Sequence, residues 1–165
     1  MADDGTLDKR SVVVQPADGP SFWQPLPANG YSHVKLSGAD TGAANLASGF
    51  QHIAPGGHVR AHSHSHQFEI LTCFQGRGRV VVDGESHTFV PGTTAFLGHN
   101  VRHEIINESD TDLVMQWLIS PPGLDEFFAT IGRPRHPGEP APEPFARPDD
   151  VIEVESDMGF RDVGS

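Results

Sequence analysis

The chain has 165 residues, enough for one domain with a real core and too few for two comfortable ones. Lys and Arg number 11 against 22 Asp and Glu, a formal net charge of −11 with histidine neutral, which opposes nucleic acid and anionic membranes as partners. Cys73 is the single cysteine, so no intrachain disulfide can form, and no apolar run approaches the length of a membrane helix. Residues 1–10 are polar and lack an apolar signal region, so a cytoplasmic location is expected.

The 18 Gly and 14 Pro predict many turns rather than long helices. Residues 1–20 read as an N-terminal arm, partly disordered or adding an edge strand through Val12-Val13-Val14. Phe22, Trp23 and Pro25 form an apolar cluster expected to seal one end of a core. From Tyr31 the pattern becomes β. Strands are predicted around His33–Leu36, Asn45–Ala54, His58–His62, Phe68–Phe74, Arg79–Val82, Glu85–Val90, Thr94–Leu97, Val101–Asn107 and Leu113–Ile119. Asp83-Gly84 is a strong two-residue hairpin signal. Leu113, Met115, Trp117 and Ile119 alternate onto one face. Such short, evenly spaced strands suggest an all-β antiparallel sandwich or small barrel. One short helix follows, with Leu124, Phe127, Phe128 and Ile131 at helical spacing, acids in its first turn and Gly132 past its end. It is expected to lie over an open end of the barrel. Residues 21–132 thus form the barrel and its helix. Residues 133–165, rich in Pro and acids, read as an extended tail that drapes over the domain or stays mobile.

The chemistry concentrates between Gly56 and Asn107. Seven of the 10 histidines lie there, with Glu69. A His-x-His pair in an extended segment puts both rings on one face, where they can bite one ion. Imidazole is the commonest protein metal ligand, and a carboxylate adds charge and hardness. His62 and His64 form such a pair, with Glu69 and His103 as candidates for the rest of the shell.

The spacing is Gly56, five residues, His62-x-His64, four residues, Glu69, six residues, Gly76; then Gly92, five residues, Gly98-x-Asn100, two residues, His103, three residues, Asn107. This resembles the two motifs of the cupin family. Gly98 stands where the family usually has Pro, and Asn100 where it usually has Gly; both are loop positions, and Asn tolerates left-handed dihedrals. The resemblance implies a double-stranded β-helix, a barrel of jelly-roll type. It also implies one divalent metal ion per chain on His62, His64, Glu69 and His103. An alternative register through His64, His66 and Glu69 breaks the spacing from Gly56, so His66 is expected in the bend between His64 and Glu69. His99 is a candidate for substrate contact or proton transfer at the barrel mouth. His58 reads as a surface strand residue, His52 as paired across the sheet and His87 as exposed; His33 and His136 carry no pattern. Cys73 reads as a buried small apolar residue, and Phe50, Phe68, Phe74, Phe96, Met115 and Trp117 as chiefly core.

Three neutral imidazoles and one carboxylate leave a divalent ion at a charge of about +1, with two positions open if it is octahedral. Iron(II) is favoured; manganese(II), nickel(II), cobalt(II), zinc(II) and copper(II) also suit. Glu69 is the one ligand that can also serve as a base. The intact Glu, the single domain and the late apolar helix resemble the quercetin-dioxygenase-like branch of the family. That resemblance implies a dioxygenase using O2 to cleave a carbon–carbon bond of a small phenolic or enolisable substrate, and often a homodimer. A non-oxidative isomerase, lyase or cyclase is the alternative, followed by a small-ligand-binding protein without catalysis.

Overall fold

Leu113, Met115, Trp117 and Ile119 are all buried, and the strand carrying them lies inside a seven-stranded sheet. The computed structural model describes residues 11–161 and 163. In chain order come β1 (Ser21–Trp23), β2 (Tyr31–Leu36), α1 (Gly38–Thr41) with a 3-10 turn Gly42–Ala44, β3 (Ala47–Ile53), β4 (His58–His64) and β5 (Phe68–Gln75). Then follow β6 (Gly78–Val82), β7 (Glu85–Phe89), β8 (Thr94–Leu97), β9 (His103–Asn107) and β10 (Leu113–Ser120). The chain continues with α2 (Leu124–Ile131), β11 (Arg133–Pro134), α3 (Val151–Asp157) and β12 (Phe160–Arg161).

One sheet runs β11-β1-β2-β3-β10-β5-β8 and the other β12-β4-β9-β6-β7, with antiparallel pairing throughout. Side chains from both sheets meet in one core: Leu71, Leu113 and Trp117 from the first, Val80, Phe89 and Ile105 from the second. The Asp83-Gly84 turn joins β6 to β7 with φ of 48° and 86°, as a two-residue hairpin of this twist requires. Asn107 ends the second motif and is buried. Its Nδ2 donates to the carbonyls of Ile53, Ala54 and Thr111, which pins the start of β10 to the end of β3. On α2, Leu124, Phe127, Phe128 and Ile131 are buried as their spacing predicts.

Three expectations need correction. Phe74 and Phe96 are 52% and 69% exposed, and Phe50 and Phe68 only half-buried. Side chains alternate along β5, so Glu69, Leu71 and Cys73 facing inward force Phe68 and Phe74 outward. Second, residues 11–20 do not add the edge strand, one of the two expectations for the arm, and Val13 is 83% exposed; residues 1–10 of that arm lie outside the described residues. Lys35 Nζ holds this stretch against β2 by donating to the carbonyls of Gln15, Pro16 and Asp18. Third, the segment after Gly132 is not wholly extended. It adds a two-residue strand to the edge of each sheet and folds α3 between them. Trp23 anchors it: its Nε1–H donates to Glu139 Oε1 at 2.5 Å, and the Arg135 guanidinium lies 5.1 Å over its ring.

His52 sits on the outer face of β3, stacked on Tyr31 with ring centroids 3.9 Å apart. Burial lowers its pKa to about 4, against the pull of Asp112, whose carboxylate is 3.7 Å away. The folded protein therefore resists protonation here, while the unfolded chain takes the proton near pH 6.5. Stability is full above pH 6.5 and falls as the pH drops toward 4. The contribution lost between pH 7 and pH 5 is at most about 2 kcal/mol. Urea unfolding of the wild type and His52→Gln at both pH values checks this: the variant should lose less stability on acidification. Equal losses would show that His52 plays no part.

Candidate metal centre

The two motifs converge inside the barrel. Strand β4 pairs with β9 so that His62 faces His103, with ring centroids 4.3 Å apart. His64, two residues on, shares that face, its ring 5.0 Å from that of His62. Glu69 comes across the core from β5 in the other sheet. Its Oε2 lies 3.1 Å from His103 Nε2 and 3.4 Å from His64 Nε2. All four residues are buried, and one ligand atom from each lies within 4.8 Å of the others. Donors about 2.1 Å from one ion stand up to about 4.2 Å apart, so the set needs to close by no more than about 0.6 Å.

Hydrogen bonding selects the ligand nitrogens. His62 Nδ1–H donates to the Arg60 carbonyl at 2.8 Å, and His103 Nδ1–H to the Val101 carbonyl at 3.0 Å. Each ring is thereby held with Nε2 toward the centre, the usual outer support of a metal-bound histidine. Both nitrogens of His64 are buried without a hydrogen bond. Orphaned buried nitrogens are costly, and a cation among the Nε2 atoms and Glu69 would take up one of the two, His64 Nε2. These residues fit a divalent metal.

The electrostatics agree. Burial, reinforced by His103 and His64, holds the His62 pKa well below the usual imidazole range, so its ring stays neutral and its lone pair available. Burial pushes the Glu69 carboxyl up, but the hydrogen bond with His103 and the close approach of His64 outweigh it and hold the group well below the usual carboxylate range. An ionised carboxylate among imidazoles is the donor set a hard-to-borderline divalent cation prefers.

Two loop features complete the centre. Asn100 takes the left-handed conformation, φ 61°, and its N–H donates to the His64 carbonyl at 2.8 Å. At Gly98 an added Cβ would meet nothing closer than 3.9 Å. The other candidates stand apart. His66 is exposed in the bend after β4, with its ring beside Ser65 and Gly159. His99 is exposed in the loop before β9 and is not among the residues lining the cavity. Cys73 is buried, and burial raises its thiol pKa.

His62 and Glu69 open onto a cavity of about 50 Å³, room for a few waters. Met115, Phe127, Phe128 and Phe160 give it an apolar wall, and Arg60, Arg147 and Glu155 line it as well. A register shift between Val59 and His62 lets Val59, Arg60 and His62 all reach it, the kind of re-aiming that bulges provide beside sites. Phe160 on β12 stacks on His62 at 5.3 Å and packs edge-on to His64 at 4.8 Å. Sequence reasoning missed Arg60, Arg147, Glu155 and Phe160. Only Arg60 carried a signal: it lies two residues before His62 in the same strand.

Three histidines and one glutamate thus converge from both sheets of an antiparallel β-barrel on a buried pocket that could hold one metal ion. Residues 49–119 match the cupin domain family. No curated protein sequence matches it significantly. Among solved structures it is similar to a sugar phosphate isomerase of the cupin superfamily from Silicibacter pomeroyi DSS-3, at 18% identity and TM-score 0.56, over 66% of this chain and 75% of that one. A predicted oxalate decarboxylase from Thermotoga maritima is similar at 23% identity and TM-score 0.54, over 66% and 98%. A candidate sugar phosphate isomerase from Acidithiobacillus ferrooxidans ATCC 23270 matches at 20% identity and TM-score 0.48, over 55% of this chain and only 59% of that one. The chain thus spans less than two thirds of that last protein. Among the described residues no helix is long and apolar enough to cross a membrane.

Proposed function

We propose that the protein is a mononuclear metal-dependent enzyme, with one divalent ion on His62, His64, Glu69 and His103 and iron(II) favoured. The activity proposed first is cleavage of a carbon–carbon bond by O2 in a small phenolic or enolisable substrate. The observation that supports it is the buried three-His, one-Glu set with His62 and Glu69 facing a small cavity. When bound, the ion supplies Lewis acidity and, if redox-active, a place for O2 and an electron-rich substrate to meet.

The chain does the rest. The carbonyls of Arg60 and Val101 fix the His62 and His103 rings. Phe127, Phe128 and Phe160 give the cavity an apolar wall. Glu69, the one carboxylate of the set, accepts a proton from the substrate. The volume suits a compact substrate better than a fused-ring flavonol. A second reading, a non-oxidative isomerase or lyase, is favoured by the charged groups Arg60 and Arg147 on the cavity wall, which suit an anionic substrate activated by a Lewis acid.

The test is elemental analysis of protein purified without chelator or affinity metal, with O2 uptake followed on catechols and β-diketones. About one metal per chain with substrate-dependent uptake supports the dioxygenase. Stoichiometric metal without uptake moves the reading to isomerase or lyase. No metal after anaerobic reconstitution overturns both and leaves a ligand-binding role.

A further inference from the structure

We infer that Arg60 and Arg147 form a subsite for the carboxylate of a small substrate, and that Glu155 occupies this subsite from within the chain. The inference rests on the proposed metal centre only in that the substrate's reacting end would face His62 and Glu69.

Arg60 Nη2 and Arg147 Nη1 both donate to one oxygen, Glu155 Oε1, at 2.6 and 2.5 Å. Glu155 is 3% exposed, and its other oxygen, Oε2, is buried without a hydrogen bond. That is an unusual way to hold a buried carboxylate. Two guanidinium forks can serve both oxygens of a carboxylate, yet here they crowd one oxygen and orphan the other, which is costly in a buried place. Glu155 fits the subsite imperfectly, so a free carboxylate able to use both oxygens can displace it.

All three side chains line the cavity that His62 and Glu69 also line. Arg60 is two residues from His62 on β4, so a ligand held by its carboxylate extends toward the metal centre. Glu155 lies on α3, in the same C-terminal segment as Phe160, the ring over His62 and His64. The carboxylate that releases Glu155 also loosens the segment covering the centre. Ligand entry and release of Glu155 are then one event: the substrate takes the place of that side chain on Arg60 and Arg147. The small volume selects short mono- and dicarboxylates.

The experiment measures malonate binding by calorimetry to the protein as isolated, to Glu155→Gln and to Glu155→Gln/Arg147→Gln, with metal content determined in parallel. Removing the internal competitor should tighten malonate binding about ten-fold or more. Removing Arg147 in that background should abolish the gain. Glu153→Gln, the same charge change at an exposed site on α3, should change nothing. Any metal contribution is common to variants of equal metal content. If Glu155→Gln does not fold, the wild type decides: malonate should speed amide exchange across Val151–Asp157. Glu155→Gln binding no tighter than wild type, a gain surviving loss of Arg147 or reproduced by Glu153→Gln, or exchange unchanged at saturating malonate would each overturn the subsite. A protein without metal that keeps the malonate pattern would overturn the metal centre and leave the subsite standing.

Discussion

His103→Ala is expected to lose its metal while the barrel stays folded. His103 touches every other member of the set: its ring is 4.3 Å from His62 and 5.5 Å from His64, and its Nε2 is 3.1 Å from Glu69. Removing it leaves two imidazoles and a carboxylate with a gap on the β9 side. Loss of a mere outer partner of a metal ligand costs roughly 10–100-fold in affinity, and loss of a ligand should cost more. The fold should survive because Ile105 and Asn107, the other inward residues of β9, are untouched. Elemental analysis and a urea midpoint measure the two effects separately. His66→Ala is the control, since His66 is exposed and lies outside the set. Full metal in His103→Ala, or its loss in His66→Ala, would show that the ligands are wrongly assigned.

Trp117→Ala should be the most damaging core substitution, costing about 3–5 kcal/mol. Trp117 is 1% exposed, in the strand flanked by β3 and β5. The chain makes room for it at Gly49, where an added Cβ would stand 2.6 Å from Trp117 Cζ2. The indole also packs on Phe128 of α2 at 5.6 Å, so truncation undermines the helix as well as the sheet. Its Nε1–H is buried without an acceptor. Trp117→Phe gives up ring area but also removes that orphaned donor, and should cost about 1 kcal/mol. Urea unfolding at fixed pH reads both. A Trp117→Ala loss below that of Trp117→Phe would refute this account of the core.

The legible parts of the sequence were those that short-range physics dictates. Asp83-Gly84 gave its hairpin because few dipeptides accept two positive φ angles. Leu124, Phe127, Phe128 and Ile131 gave their helix by spacing. The glycines and the His-x-His pair pointed to His62, His64, Glu69 and His103, which the fold brings within reach of one ion. The misplaced aromatics were legible too: with Glu69 turned inward, Phe68 and Phe74 on the same strand cannot be core, because alternation forbids it. The segment after Gly132 was not legible. Its Pro-rich, acidic composition resembles a solvated tail, and nothing local marks Glu155 apart from Glu153 or Asp157. Its burial follows from Arg60 and Arg147, which are remote in sequence or lie in an irregular stretch.

The shortness of β12 has a kinetic consequence. Only Phe160 and Arg161 pair with β4, opposite His64 and Ser63. A two-residue strand at a sheet edge opens far more often than the sheet unfolds, and closing it again means bringing together parts of the chain remote in sequence. The residence time of anything held beneath Phe160 is then governed by fraying of that strand rather than by the stability of the barrel. A very stable barrel can therefore exchange its contents quickly, and amide exchange at Phe160 and Arg161 would time the exchange.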